Sequence, residues 1–181
     1  QYAQLTASGY VVAQRRAAVA SKATGRLEVL NVREGSQVKQ GDVLARLDAS
    51  DVRAALAQAQ AAVRQAEAAV AQAGVERMQA EADLKRQQAL QAKGFVSPQT
   101  VETAATRLSA AKAAVTTAEA AVGVARAQFK VQQVNLDYTE IRAPFDGVVL
   151  VKNANVGDII TPFSSAAGAQ GAVVTMADMG T

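Results

Sequence analysis

The stretch VETAATRLSAAKAAVTTAEAAVGVARAQFKVQQVNL, Val101 to Leu136, carries a large apolar residue at every seventh position. An alanine follows three positions after most of these residues, which is the a/d spacing of a coiled coil. The two rows are Val101, Leu108, Val115, Val122, Phe129 and Leu136, with Ala104, Ala111, Ala118 and Ala125. The stretch therefore predicts a long helix with one apolar seam.

A second seam of the same kind precedes the first. Its members are Leu56, Val63, Val70 and Leu84, with Ala59, Ala66, Ala73 and Ala80, and Arg77 interrupts the large row once. Two such seams joined by a short turn bury each other, so we predict an antiparallel coiled-coil hairpin with helices over residues 51–93 and 98–136. The facing layers pair Leu84 with Leu108, Val70 with Val122, Val63 with Phe129 and Leu56 with Leu136.

The turn between the helices has the chemistry of a tight connection. Gly94 suits the left-handed position that ends a helix, and Phe95 can then reach back to Leu90. Ser97 is a good N-cap for the second helix, and Val96 can pack against its first turn. These residues therefore have a structural use, and a docking use is an open alternative at this stage.

Short β-type runs flank the helices on both sides, and the two flanks repeat. GRLEVLNVREGSQV, residues 25–38, and GVVLVKNANVGDII, residues 147–160, each place two glycines ten positions apart within β-branched and apolar residues. Two such half-motifs predict one small β-sandwich with a pseudo-twofold axis, built from residues 25–47 and 139–160. The hairpin is an insertion between them, so the fold class is α+β.

Composition narrows the chemistry. The 181 residues include no cysteine and no histidine, which excludes thiol nucleophiles, histidine-based catalysis and most zinc sites. Carboxylates and lysines remain, and no cluster of either stands out, so we predict no catalytic residue, no metal and no cofactor. The net charge of +3 is spread along the chain, which favours a solvated surface over a nucleic-acid site. No apolar run approaches the roughly 18 residues that span a bilayer.

These residues carry a family resemblance. VASKATGRLEVLNVREGSQVKQGDVLARLD, residues 19–48, resembles half of a lipoyl/biotinyl domain. LDYTEIRAPFDGVV, residues 136–149, resembles the sequence that ends the helical hairpin in HlyD-like periplasmic adaptors, the membrane fusion proteins of MacA-like and AcrA-like type. The order of half-lipoyl motif, hairpin and half-lipoyl motif covers nearly the whole chain.

The resemblance implies four segments. Residues 1–24 are an N-terminal strand segment leading from a membrane-proximal region, with Tyr2 to Ala13 as a leftover strand. Residues 25–50 are the first lipoyl-like half, 51–138 the hairpin with its tip near 94–97, and 139–181 the second half. We expect this chain to be a piece of a longer periplasmic protein, with a β-barrel domain and an inner-membrane anchor elsewhere.

The family also has a tip motif, in which a Leu follows an Arg by four positions and a Ser follows the Leu by seven. Arg86, Leu90 and Ser97 have this spacing. The resemblance implies that they contact a TolC-like outer-membrane channel, with Phe95 and Val96 shaping the apex. The predicted turn does not require Arg86, and this favours a docking role for that residue.

The resemblance further implies assembly of the chain with itself as a hexamer, in which a turn of the second half-motif lines the bore. In this sequence that turn is KNANVG, with Lys152, Asn153 and Asn155 as the candidates. An ordinary polar hairpin turn is the favoured alternative.

The function implied is that of a non-catalytic adaptor, which bridges an inner-membrane transporter and the outer-membrane channel in a tripartite efflux pump. Among ABC, RND and MFS transporters, a MacA-like ABC system is slightly preferred over an AcrA-like proton-driven one. The alternatives are a type I secretion adaptor, a biotinyl or lipoyl carrier domain and a plain coiled-coil spacer. A carrier needs an acceptor lysine on the turn between the half-motifs, and the hairpin takes that place.

Overall fold

The computed structural model describes residues 15–162 and 171–178. The chain forms two compact units, one from residues 51–134 and the other from the segments on either side of them. The strand predicted over Tyr2 to Ala13 lies outside the described residues. Within the described ranges, neither long helix combines the length and the apolarity that crossing a membrane requires.

Two long helices form the hairpin. Helix α1 covers Ser50–Ala92 and helix α2 covers Pro98–Asp137, with 43 and 40 residues. At 1.5 Å per residue they are about 65 and 60 Å long. The predicted helices are confirmed, and their ends differ from the prediction by one residue or less.

Burial along the hairpin follows the predicted seam. The least exposed helical residues are Ala73, Ala80, Ala104, Leu108, Val122 and Ala125. All the other seam residues are half-buried except Arg77, which is exposed. Arg126 Nη2 donates to Glu67 Oε1 across the hairpin at 2.8 Å, and Val70 and Val122 line one cavity beside this pair. The contact is the one expected from the predicted pairing of Val70 with Val122.

In the part of the chain that the structure describes, eight strands form the sandwich, in two antiparallel four-stranded sheets. They are β1 (Arg15–Ala20), β2 (Gly25–Leu30), β3 (Gln37–Val38), β4 (Val43–Leu47), β5 (Glu140–Arg142), β6 (Gly147–Lys152), β7 (Ile159–Ile160) and β8 (Ala172–Asp178). The sheet orders are β1-β8-β6-β3 and β5-β4-β2-β7. The largest fully buried side chains are Leu27, Leu44, Leu47, Val149, Val173, Val174 and Met176. The predicted single sandwich is confirmed.

The two halves are related bond by bond. Gly35 N–H donates to Val149 O at 2.8 Å, and Gly157 N–H donates to Leu27 O at 2.8 Å. Gly35 and Gly157, like Leu27 and Val149, lie 122 positions apart in the chain. Both glycines have left-handed backbones, with φ of 85° and 99°. The repeat seen in the sequence is therefore a pseudo-twofold axis, and strands β1–β4 correspond to strands β5–β8.

The first half begins earlier than residue 25, where the sequence analysis placed it. Strand β1 pairs with the interior strand β8 from Arg15 to Ala20. A strand here agrees with the strand segment predicted over residues 1–24, but its place in the sandwich was not predicted. Long-range pairing, which no local pattern reports, brings this segment into the sandwich.

The EIRAPFDG stretch, residues 140–147, binds the second half to the turn before β4 through hydrogen bonds. Gln40 N–H donates to Asp146 Oδ1 at 2.6 Å, and Arg142 Nη1 donates to the Gly41 carbonyl at 2.9 Å. Gly41 N–H donates to the Ala143 carbonyl at 2.9 Å. The stretch that carries much of the family resemblance therefore has a structural role in holding the halves together.

Candidate functional site

The tip of the hairpin closes through backbone bonds. Phe95 N–H donates to the Leu90 carbonyl at 3.0 Å and Gly94 N–H donates to the Gln91 carbonyl at 2.9 Å. These are the two bonds of a Schellman cap, and Gly94 supplies the left-handed residue with φ of 74°. The predicted end of α1 is confirmed, and the side chains of the turn are not needed for these bonds.

The start of α2 is held by Ser97 in a different way from the predicted cap. Thr100 N–H donates to the Ser97 carbonyl at 3.1 Å, and the Ser97 and Thr100 hydroxyl oxygens lie 3.1 Å apart. One hydrogen bond between two hydroxyls leaves the hydrogen of the accepting hydroxyl free to donate elsewhere. The pair can therefore support the turn and still offer a donor to a partner.

The apex exposes a large aromatic ring. Phe95 is 74% exposed, whereas Leu90 and Val96 are half-buried. Because the cap is made by the Phe95 backbone, the phenyl group has no buried structural role. A single exposed apolar side chain is common on monomers, so the ring gains meaning only beside the other features of the tip.

Arg86 lies two residues beyond the predicted seam residue Leu84 and is 65% exposed. Its Nη1 lies 3.6 Å from Asp83 Oδ1, one turn earlier in α1. Arg86 lines a groove with Asp83 and Arg107, and Ser97 lines an adjoining groove that shares the same two residues. The structure therefore places Arg86 and Ser97 close to a common pair of charged side chains.

Asp83 and Arg107 were not among the site residues predicted from the sequence. The contact between Asp83 and Arg86 could have been predicted from the sequence, because residues three positions apart are neighbours on a helix. Arg107 was not readable in this way, because it comes from the other helix. Leu90 lines neither of the two grooves.

The predicted pore-lining residues are exposed, but each has a partner within the sandwich. Lys152 Nζ donates to Asn155 Oδ1 at 2.8 Å, and Asn155 N–H donates to Asp158 Oδ2 at 2.8 Å. Asn153 Nδ2 donates to Thr175 Oγ1 at 3.2 Å. These bonds support the alternative of an ordinary polar turn.

Two apolar residues in this turn were missed. Val156 is 62% exposed and Ile159 is 76% exposed. The turn related by the pseudo-twofold axis carries Glu34 and Gln37 at the same positions. Because the two turns make equivalent backbone hydrogen bonds, the fold does not require apolar side chains at these positions. Aligning the half-motifs residue by residue reveals this difference in the sequence.

Comparison with known families gives a match over most of the chain. A family model described as the RND MFP barrel-sandwich hybrid domain matches residues 15–176. The multidrug resistance protein MdtA of Klebsiella pneumoniae is 37% identical over 157 residues, which cover 87% of this chain and 35% of that protein. MdtA of Escherichia coli O45:K1 is 35% identical over the same share of this chain and 34% of its own length. The chain spans about a third of these relatives.

Among solved structures, MacA from Actinobacillus actinomycetemcomitans is similar in fold. Its TM-score is 0.82 at 25% identity, and the alignment covers 92% of this chain and 50% of MacA. The match includes both the sandwich and the hairpin, since neither alone makes up that share of the chain.

Proposed function

We propose that this chain, which belongs to the RND-type membrane fusion protein family, is the adaptor part of an efflux pump. The observation that carries the proposal is the hairpin tip. Its turn is closed by backbone bonds, while Arg86 and Phe95 are left exposed. In this role the chain performs no catalysis and brings two membrane proteins into contact across the periplasm.

The proposed partner at the tip is a TolC-like outer-membrane channel. Arg86 offers a planar group with five N–H donors, which suits carboxylate or carbonyl oxygens on the ends of a partner's helices. Leu90 supplies an apolar contact, Ser97 a hydroxyl donor, and Phe95 and Val96 the surface of the apex. Each tip alone binds weakly, and a hexameric ring of adaptors gains affinity because several tips dock at once.

The proposed partner at the inner membrane is an RND transporter. The sequence alone slightly favoured an ABC transporter of MacA-like type. One finding supports the RND class: the matching family model is described for RND membrane fusion proteins. The complete protein is then periplasmic and held at the inner membrane. A secretion adaptor, a carrier domain and a spacer have no comparable support.

Replacing Arg86 with Ala tests the role of the tip. We expect efflux by the complete protein to fall sharply, measured as drug accumulation in cells that depend on this pump. Folding should change by no more than about 0.5 kcal/mol, as for most surface substitutions. Arg64→Ala is the matched control, because Arg64 is exposed on the same helix far from the tip. Full efflux in both Arg86→Ala and Leu90→Ala would refute docking through this motif.

The turn with Lys152, Asn153 and Asn155 is proposed to face the bore of the ring. Asn155→Ala removes the side-chain partner of Lys152 and keeps the backbone bond from residue 155 to Asp158. On this proposal it reduces efflux without unfolding the sandwich. Asn153→Ala is the companion variant. If both variants are expressed normally and transport like the wild type, the turn has only a structural role.

A further inference from the structure

We infer that Asp83 is a positioning residue for docking, because it restrains the Arg86 guanidinium beside the two grooves near the hairpin tip, where a partner would meet it. The inference rests on the proposed docking of the tip and adds a residue outside the tip motif. Asp83 precedes Arg86 by three positions, so both side chains lie on one side of α1.

The two side chains differ in how much they are held by the fold. The Asp83 side chain is 32% exposed, whereas that of Arg86 is 65% exposed. The aspartate is short and partly covered, so its carboxylate has few available positions. The arginine is long and loses considerable rotamer freedom when it binds. A fixed carboxylate beside it removes part of that freedom before the partner arrives, which lowers the cost of binding.

The contact leaves most of the guanidinium available. One nitrogen, Nη1, lies 3.6 Å from Asp83 Oδ1. A bidentate pair would instead occupy two parallel N–H groups of the arginine. Asp83 can therefore restrain the direction of Arg86 without using the donors that a partner needs, so its removal weakens docking rather than strengthening it.

Asp83 also lies close to a second arginine, Arg107. It comes from α2 and lines both tip grooves together with Asp83. Without the aspartate, Arg86 and Arg107 are like charges in one groove, and their repulsion favours other orientations of Arg86. Loss of one negative charge also makes the tip more cationic, and its interactions with charged groups then depend more on salt.

A double-mutant cycle tests the inference. The complete protein as the gene encodes it is prepared as wild type, Asp83→Asn, Arg86→Ala and the double variant. Binding to a purified TolC-like channel from the same organism is measured at low and at high salt. We expect Asp83→Asn to weaken binding about threefold to fivefold, the upper range for an exposed ion pair. In the Arg86→Ala background the same substitution should change the affinity less than about 1.5-fold. Asp83 then has no guanidinium to position, so the effects of the two substitutions are not additive.

Two further variants separate charge from structure. Asp83→Glu keeps a carboxylate near Arg86 and should restore most of the affinity. Glu76→Gln removes a carboxylate that lines the same groove about two helical turns before Asp83, and should leave binding unchanged. Asp83→Asn should also make binding more sensitive to salt, which a purely structural role would not do.

The outcomes distinguish the inference from the function on which it rests. If Arg86→Ala leaves channel binding unchanged, the proposed docking fails and the inference fails with it. If Arg86→Ala weakens binding while Asp83→Asn has no effect, docking stands and the role of Asp83 is overturned. The role is also overturned if Asp83→Asn weakens binding equally in both backgrounds.

Discussion

Val122→Asp should destabilise the hairpin by about 3 kcal/mol, because it buries a carboxylate that lacks an ion-pair partner of its own. Val122 is 9% exposed and lies near the middle of the seam. Glu67 and Glu119 line the cavity beside it, so the new carboxylate also meets two like charges. Arg126 lines the same cavity, but Glu67 already accepts its hydrogen bond at 2.8 Å.

Far-ultraviolet circular dichroism measures this effect, since the two long helices dominate the signal. We expect the midpoint of thermal unfolding to fall by more than about 10 °C, as a change of this size does in a unit of this length. Gln65→Asp is the matched control, because Gln65 is exposed on the same hairpin. Equal midpoints for Val122→Asp and wild type would mean that the seam is assigned to the wrong face.

Gly147→Ala should destabilise the sandwich by about 3 kcal/mol or more, because it forces two backbones apart. A Cβ on Gly147 would lie 2.3 Å from the Ala177 carbonyl oxygen. Ala177 lies in β8, an interior strand of its sheet. Backbone in the interior of a sheet has little freedom to move, so the clash is relieved only by separating β6 from β8.

Gly25 provides a control from the same fold. It is the pseudo-twofold counterpart of Gly147, but a Cβ there would meet the Leu47 side chain at 3.3 Å. We expect Gly25→Ala to cost about 1 kcal/mol or less, because the contact is with Leu47 Cβ at 3.3 Å and a shift of a few tenths of an ångström relieves it, whereas 2.3 Å demands a much larger movement. The two variants are compared by urea unfolding and by hydrogen exchange of the backbone amides in β6 and β8. Equal midpoints for Gly147→Ala and Gly25→Ala would contradict the steric account.

Much of the hairpin was predictable because its determinants are local or periodic. The seven-residue rows state which face of each helix is buried, and burial at Ala73, Leu108 and Val122 follows them. The cap at Gly94 is encoded by one residue type at one position. The exact partner of the Ser97 hydroxyl was not predictable, since several donors of the first turn compete for it.

The sandwich was predictable where its halves repeat and not where they differ. Ten-residue glycine spacing identified Gly35 and Gly157, whose backbones are equivalent in the structure. The place of strand β1 in the sandwich was not predicted, because it depends on pairing with residues more than 150 positions later. A repeat also hides information, since the exposure of Val156 and Ile159 stands out only against the polar turn of the other half.

The candidate site was predictable as a list of residues and not as an arrangement. Arg86, Leu90 and Ser97 were found through a resemblance to a family motif. The arrangement around Arg86 depends on Asp83 from the same helix and Arg107 from the other. Side chains that meet across two helices leave no periodic signal, because only their register brings them together.

Photocrosslinking from the hairpin apex tests most directly whether this chain docks on an outer-membrane channel. A photoreactive phenylalanine analogue replaces Phe95 in the complete protein, and a second sample carries it at Val124, which is 66% exposed on α2 away from the tip. After irradiation of intact cells, we predict a covalent adduct with a TolC-like channel from position 95, reduced by Arg86→Ala and absent from position 124. No channel adduct from position 95, or equal adducts from both positions, would contradict the account.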